Sequence, residues 1–378
     1  MRDSAQNPAS RPALGRMAES APMNFKSDNV HGFDEAMLDA LRDANAGTAR
    51  SYGYDDWTAA AEQRLRDVFE CDLLAYLVVT GTAANSLALT ACCPPYGAVV
   101  CHAEAHIATD ECGAPELFSG GAKLLGVRGA ACKLTPDAVT RMLGQMSRGE
   151  HEQRPSALSL SQATELGTLY SLPEIAALST LARERSLKTH MDGARFANAL
   201  ARLGCTPAEM SWKSGIDVLS FGATKNGAIG VEAVLFFDQA LARDFVYLRK
   251  RTGQLVSKSR FLAAQMLAYL DGGRWLRNAT HANLMADRLG DSIRALPGVR
   301  LPLPVQANAV FAIVPASLHA HLQAQGARYL VWPGEGPGTD VVGEREALIR
   351  LVTSFRTTAG EVDGFVAAAR QARAPGGA

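Results

Sequence analysis

The segment LLAYLVVTGTAANSLALTACC, residues 73–93, constrains the fold more than any other stretch of the chain. Its first seven residues are an unbroken apolar run, short for a helix and ended by a threonine–glycine turn, which reads as a strand. A strand without alternation is buried on both faces, and such strands belong to parallel sheets covered by helices. The turn Thr80–Asn85 then leads into a second apolar stretch from Ser86 that reads as a helix. AVVCH at 98–102, LSLSQA at 158–163, LKTHMD at 187–192, IDVLSFGATK at 216–225 and VEAVLFF at 231–237 read as further strands. Helical patterns lie between and before them. Residues 34–45 put Met37, Leu38 and Leu41 on one face, residues 58–69 are amphipathic, and Ser171 with Pro173 opens a capped helix. Strands alternating with helices define an α/β fold around a mostly parallel sheet, where ligands gather at the carboxyl ends of the strands.

After about residue 270 the texture changes. A long helix over 275–295 leads to short apolar segments, NAVFAIV, ARYLVWP and ALIRLVTSF, with helices beside them. The expected organisation is a tail over 1–24, a large domain over 25–270 and a small C-terminal α+β domain over 271–378. A chain of 378 residues, 47% hydrophobic, has the length and core for two domains. The first 24 residues are rich in Ala, Ser, Pro and Asn. They lack the continuous apolar stretch of a secretory signal, and Asp3 and Glu19 interrupt an organelle-targeting pattern. Lys+Arg and Asp+Glu are equal at 38 each, which gives no charge excess to recruit nucleic acid or an anionic membrane. Apolar runs stop well short of spanning length. Seven cysteines, an odd number with no C-x-x-C, fit a reduced cytoplasm rather than a disulfide framework. No zinc-ligand spacing or Walker motif is present.

Three strand ends carry chemistry. TGTAAN offers a glycine turn, two hydroxyls and a helix N-terminus, a ready site for a phosphate. Asp192 closes one strand, and taken alone it reads first as a helix N-cap. Lys225 closes another, in a turn rich in Ser, Thr and Gly, and taken alone it reads as a solvated loop lysine. The joint pattern is a phosphate cradle, an acid, and a lysine 33 residues further on (225 − 192). That is the set of groups that pyridoxal 5′-phosphate requires: the lysine amine condenses with the aldehyde, and the acid keeps the pyridine nitrogen protonated so that the ring withdraws electrons.

The motifs KSDNVHG, SYGYDDWT, TGTAAN, HMDGARFANAL and SFGATKNGAIG together resemble the L-threonine aldolases, fold-type I pyridoxal-phosphate enzymes of the β-eliminating lyase superfamily. The resemblance runs from FKSDN at 25 to IRLVTSF near 355. It implies a fold-type I, transferase-like architecture and retro-aldol cleavage of L-threonine, L-allo-threonine and related β-hydroxy-α-amino acids to glycine and an aldehyde. By position it implies that Lys225 is the cofactor lysine and that Asp192 faces the pyridine nitrogen. Gly81 and Thr82 would form the phosphate turn, and His106 would stack on the ring. Ser27, Arg195 and Arg350 would hold the substrate carboxylate. Tyr52 would reach the site of a neighbouring subunit, so a homodimer or homotetramer is expected. Residue by residue, alternatives stand. His102 and His106 also read as surface histidines, Arg350 also reads as a salt-bridge partner, and Arg356 competes for its role.

Two segments depart from the commoner family pattern. Where many members carry an acidic-Asn-Thr-His-Asn-Gly stretch, this chain has SQATELG, so Glu165 stands in place of a second active-site histidine. The catalytic base is then His106 or Glu165. The segment RTGQLVSKSRF lacks the glycines of a basic loop that reaches the neighbour's phosphate, leaving Lys258 or Arg251 for that task. Other readings are a preference for phenylserine, an aminotransferase or aromatic amino-acid lyase using the same Lys225 and Asp192, and a catalytically idle scaffold on the same fold.

Overall fold

The computed structural model describes residues 23–332 and 342–372. Seven strands form the main sheet: β1 (Leu74–Val78), β2 (Gly97–His102), β3 (Lys123–Val127), β4 (Arg154–Ser161), β5 (Lys188–Gly193), β6 (Val218–Gly222) and β7 (Glu232–Phe236). Their order is β1-β7-β6-β5-β4-β2-β3. β7 alone runs against its neighbours, β1 and β6; β2 to β6 pair in parallel. The unbroken apolar runs are the central strands, and every residue of β2, β6 and β7 is buried. β3, an edge strand, was not expected from the sequence. Its exposed Lys123 and Gly126 interrupt the apolar pattern that marks the other strands.

The helix Gly81–Cys92 follows β1 directly. Thr80 caps it by accepting the Ala83 N–H, and the helix lies across β5, β6 and β7, which explains why its residues 83–89 are all buried. The helix Leu172–Glu184 starts at a full capping box formed by Ser171 and Glu174. A 21-residue helix, Arg274–Arg294, packs against both Phe196–Leu203 and Ala359–Gln371 and so ties the main sheet's cover to the second sheet. That second sheet is antiparallel, with β8 (Ala309–Pro315), β9 (Leu330–Val331) and β10 (Glu346–Val352) in the order β8-β10-β9.

Residues 1–22 of the expected tail lie outside the described residues. The last two, Met23 and Asn24, are packed: Met23 is buried in the core of the second sheet and Asn24 bridges Arg328. The chain then runs alongside β10, where Phe25 N–H donates to Arg328 O and Phe25 O accepts the Val352 N–H. This stitching delivers Asp28 and Asn29 from the N-terminal segment to the rim of the main sheet.

Two glycines let the ends of β5 and β6 close on each other. A Cβ on Gly222 would sit 2.6 Å from Ala194 O and 2.7 Å from Ala194 Cα, and one on Gly193 would meet Ser220 O at 2.7 Å. The atoms in the way are backbone, so relief requires moving the strand ends themselves. Gly222→Ala should therefore destabilise the fold by about 1–3 kcal/mol, as overpacking does. Urea denaturation should show a lower midpoint at unchanged m-value. A midpoint equal to wild type would mean that the strand ends yield freely.

Candidate active site

Asp192 ends the central strand β5 and is 5% exposed. Its Oδ1 accepts the Ala194 N–H at 2.9 Å and its Oδ2 accepts Asn85 Nδ2 at 2.9 Å. Burial pushes its pKa up, but the Ala194 hydrogen bond and the nearby His106 and Lys225 outweigh burial, and the carboxyl sits below its ordinary value. Asn85 belongs to the helix that starts at Gly81, and its amide also donates to Glu111 Oε1 at 2.8 Å. Glu111 Oε1 in turn lies 2.8 Å from His106 Nδ1. One continuous chain of hydrogen bonds thus runs His106–Glu111–Asn85–Asp192. The hydrogen bond from Glu111 raises the His106 pKa against the opposing effect of burial. One strand position below, His190 is fully enclosed between Ser159 Oγ and Ser220 Oγ, and burial pushes it down to about 4, so it is neutral.

Lys225 sits in a single 3₁₀ turn, Thr224–Asn226, after β6. The turn is pinned from behind by buried Asn226, whose amide donates to Tyr269 Oη and to Trp275 O. Lys225 itself makes no side-chain hydrogen bond or ion pair among the described residues. It lines an open cleft of about 960 Å³, mouth included, together with Asp192, His106, Glu165, Arg195 and the Thr80–Thr82 turn. The first N–H groups of the helix at Gly81 and Thr82 have no intrahelical acceptor. A Cβ at Gly81 would meet nothing within 4 Å, which leaves this helix start open to the cleft.

The expected carboxylate-binding residues divide. Arg195 lines the cleft but is already paired: its Nε donates to Asp28 Oδ2 at 2.7 Å and its Nη2 to Asp28 Oδ1 at 3.2 Å. Burial would raise the Asp28 pKa, but Arg195 and Lys225 keep it below its ordinary value. Arg350, on β10, stacks over the Trp332 ring at 5.0 Å, and its buried Nε has no hydrogen-bond partner among the described residues. It makes no ion pair among the described residues, though Glu165, Asp28 and Asp110 act on it electrostatically. Arg356 is committed elsewhere, to Glu35 and Phe33 O. From the KSDN segment the cleft wall takes Asn29, while Ser27 Oγ accepts the Asn29 N–H.

Glu165 projects from a tight loop after β4. Buried Gln162 clamps the loop by accepting the Tyr170 N–H and donating to Tyr170 O, and Thr164 and Thr168 close it with a 2.7 Å hydroxyl pair. The Glu165 carboxylate has no hydrogen bond among the described residues. The surface reading of His102 is corrected: it is buried, its Nδ1 accepting the Glu104 N–H and its Nε2–H donating to Gly129 O at 3.2 Å. His106 does face the cleft, with its side chain one-third exposed. Tyr52 is 44% exposed, outside its own chain's cleft wall, at φ 62°, a left-handed conformation uncommon for an aromatic residue. Lys258 and Arg251 are exposed nearby. Asn85, Glu111 and Asp28 were missed by sequence reasoning. Asn85 and Asp28 fall inside the quoted motifs TGTAAN and KSDN, which was the available signal; Glu111 had none beyond its place five residues after His106.

This geometry is that of a fold-type I pyridoxal-phosphate site, and the comparisons with known proteins agree. The model of the beta-eliminating lyase family matches residues 24–317. A low specificity L-threonine aldolase of Pseudomonas aeruginosa is 47% identical over 337 residues, 87% of this chain and 97% of that one; another, from a Pseudomonas strain, is 46% identical over 82% of this chain and 90% of its own length. The threonine aldolase of Leishmania major superposes with a TM-score of 0.86 at 27% identity, covering 93% of this chain and 99% of the other. Serine palmitoyltransferase of Sphingomonas wittichii shares the fold alone, at a TM-score of 0.67 and 14% identity over 92% of this chain and 86% of its own. The chain belongs to the beta-eliminating lyase family, and its cofactor is pyridoxal 5′-phosphate. Its own residues fit that group: an open helix start for the phosphate, a buried ionised carboxylate for the ring nitrogen and an unengaged amine for the aldehyde.

The His106–Glu111 contact makes a direct prediction. Glu111→Gln removes the carboxylate that raises the His106 pKa, so the imidazole should titrate at lower pH than in wild type. Nitrogen-15 imidazole spectra across pH read this shift. An unmoved or higher midpoint would mean that Glu111 does not govern the charge of His106.

Proposed function

We propose that the protein is a cytoplasmic aldehyde-lyase that cleaves L-threonine, L-allo-threonine and related β-hydroxy-α-amino acids to glycine and an aldehyde. The observation that carries this reading is the meeting of Lys225, buried Asp192, Glu165 and the open Gly81 helix start in one cleft, with Arg350 outside the cleft wall but within electrostatic reach of Glu165 and Arg195. The relatives at 46–47% identity, named for this activity, support it.

In this reading Lys225 holds the cofactor aldehyde, Gly81 and Thr82 its phosphate, Asp192 its ring nitrogen and His106 its ring face. The bound cofactor supplies an aldehyde that takes up the substrate amine and a ring that withdraws electrons from a bond at the substrate's Cα. Arg350 binds the substrate carboxylate, because its guanidinium is partly buried, stacked and unpaired, whereas a carboxylate can pair with it through two hydrogen bonds. Arg195 lines the same cleft but is fixed and largely neutralised by Asp28, so it serves as a rigid wall more than as a free charge. Holding the carboxylate would fix the rotation about Cα and so select the Cα–Cβ bond for cleavage. A base takes the β-hydroxyl proton as that bond breaks; the oxygen electrons become the aldehyde carbonyl, and Cα then gains a proton to give glycine.

Glu165 is the better base. His106 has its Nδ1 fixed on Glu111, and that contact favours its protonated form, whereas the Glu165 carboxylate is unbonded in the cleft. The protein should release acetaldehyde from L-threonine and L-allo-threonine but not from D-threonine. Glu165→Gln should keep the visible cofactor band and slow single-turnover cleavage by roughly 10²–10⁴-fold, as loss of a general base does. Unimpaired cleavage in Glu165→Gln, with a large loss in His106→Asn, would transfer the base to His106. A substrate-dependent bleaching of the cofactor to its amine form, without aldehyde, would favour the aminotransferase reading.

Assembly follows from the same residues. Tyr52 is held at a strained backbone angle with its ring exposed, and Tyr54, Val79, Ile229 and Tyr247 are exposed apolar groups near the cleft mouth or in the 245–258 segment. We read this face as covered by a second copy whose Tyr52 and Lys258 or Arg251 complete the site. Sedimentation at assay concentration should give a dimer or tetramer; a fully active monomer would contradict the shared site.

A further inference from the structure

β7 is the one strand that runs backwards, so its first residue lies at the rim where the other strands end. That residue is Glu232, level with Gly222 of β6 and Val78 of β1. It is 7% exposed and lines the same cleft as Lys225. Its Oε2 accepts the Ala223 N–H at 2.6 Å, and the hydroxyl and backbone of Thr224 add hydrogen bonds. Ala223 and Thr224 are the two residues before Lys225. One side chain therefore fastens the turn that carries the lysine.

Fastening alone does not require a charge, since a glutamine oxygen accepts the same hydrogen bonds. A carboxylate in this position is costly, and burial pushes the Glu232 pKa up to about 7 despite the hydrogen bonds that favour its charged form. The other ionisable group that faces it from a packed element is Tyr269 of the helix Arg260–Leu270, whose phenol is pushed up by burial and stays neutral. The helix Gly81–Cys92 presents no charged side chain to it. Lys225 is the cation that acts on Glu232, yet the two form no ion pair within 4 Å, so the lysine amine is within electrostatic reach but not held.

We propose that Glu232 both positions the Lys225 turn and exchanges a proton with the Lys225 amine whenever that amine is free. The amine is free in the cofactor-less protein, and is freed again each time a substrate amine takes its place. One proton passes from the Lys225 ammonium to a Glu232 oxygen, directly or through one water. This leaves an amine with its lone pair available and a neutral carboxylic acid; the reverse transfer restores both charges. The neutral pair suits a buried site, where two full charges without close contact are poorly stabilised. The inference rests on Lys225 being the cofactor lysine.

The test is the rate at which full-length, cofactor-free protein takes up pyridoxal phosphate as pH is varied, followed by the visible band in stopped flow. In wild type the rate should rise in two ionisation steps, the lower, near 7, from Glu232. Glu232→Gln should lose the lower step and keep a single one, while Glu232→Asp should keep both. A Glu232→Gln protein that retains the lower step, or that is slowed by the same factor at every pH, overturns the proton exchange. A second measurement covers the case in which Glu232→Gln does not fold. In Glu111→Gln protein, the infrared band of the remaining buried glutamic acid should titrate at higher pH once Lys225→Ala removes the neighbouring cation; an unmoved midpoint overturns the proposal. Failure of the underlying reading looks different, because Lys225→Ala would then still form the visible band.

Discussion

Asp192 carries a negative charge where water barely reaches, and it does so with two hydrogen bonds, one from the Ala194 backbone and one from Asn85. Each bond ties the carboxylate to a different part of the sheet's upper rim. Ala194 follows β5 and is pressed against Gly222 of β6, which leads into the Lys225 turn. Asn85 lies one turn into the helix that begins at Gly81. The acid, the lysine turn and the phosphate-facing helix start are therefore not three loops placed independently. They are braced against one another through one buried charge, whose burial without those partners would cost several kcal/mol.

Around this centre the charges are sorted by whether they are free to act. Arg195 is neutralised by Asp28, His106 is held by Glu111, and His190 is neutral between two serines. Lys225, Glu165 and Arg350 have neither a side-chain hydrogen bond nor an ion pair among the described residues, whereas Asp192 and Glu232 are held by backbone or amide donors. In the proposed reaction those three are the groups that change partner: the amine that gives way to substrate, the guanidinium that receives a carboxylate and the carboxylate that receives a proton. Preorganised partners hold the first group still, and the unpaired groups need little rearrangement when substrate arrives.

The strand ends were legible in the sequence because central parallel strands are unbroken apolar runs, and the residue that ends each run is marked by contrast. Lys225, Asp192 and the TGTAAN turn stood out for that reason. The antiparallel sense of β7 was not legible, since an apolar run carries no direction; hence Glu232, at its start, was read as ordinary strand rather than as part of the rim. Asn85 and Asp192 are 107 positions apart, and Asp28 and Arg195 are 167 apart. Such pairings leave no periodic trace, and each partner alone looks like a helix-interior or loop polar residue. The edge strand β3 escaped because one of its faces is wet and its pattern is broken by glycine. His102 escaped because a buried histidine satisfied by backbone groups looks, in sequence, like any histidine in a turn.

The claim on which the rest stands is that the cofactor is joined to Lys225 beside Asp192. Borohydride reduction of the purified yellow protein, followed by proteolysis and peptide mass spectrometry, fixes that attachment irreversibly and reads its position. The account predicts a pyridoxyl adduct on Lys225 as the single modified lysine. An adduct on Lys258 or another lysine, with Lys225 unmodified, would contradict it.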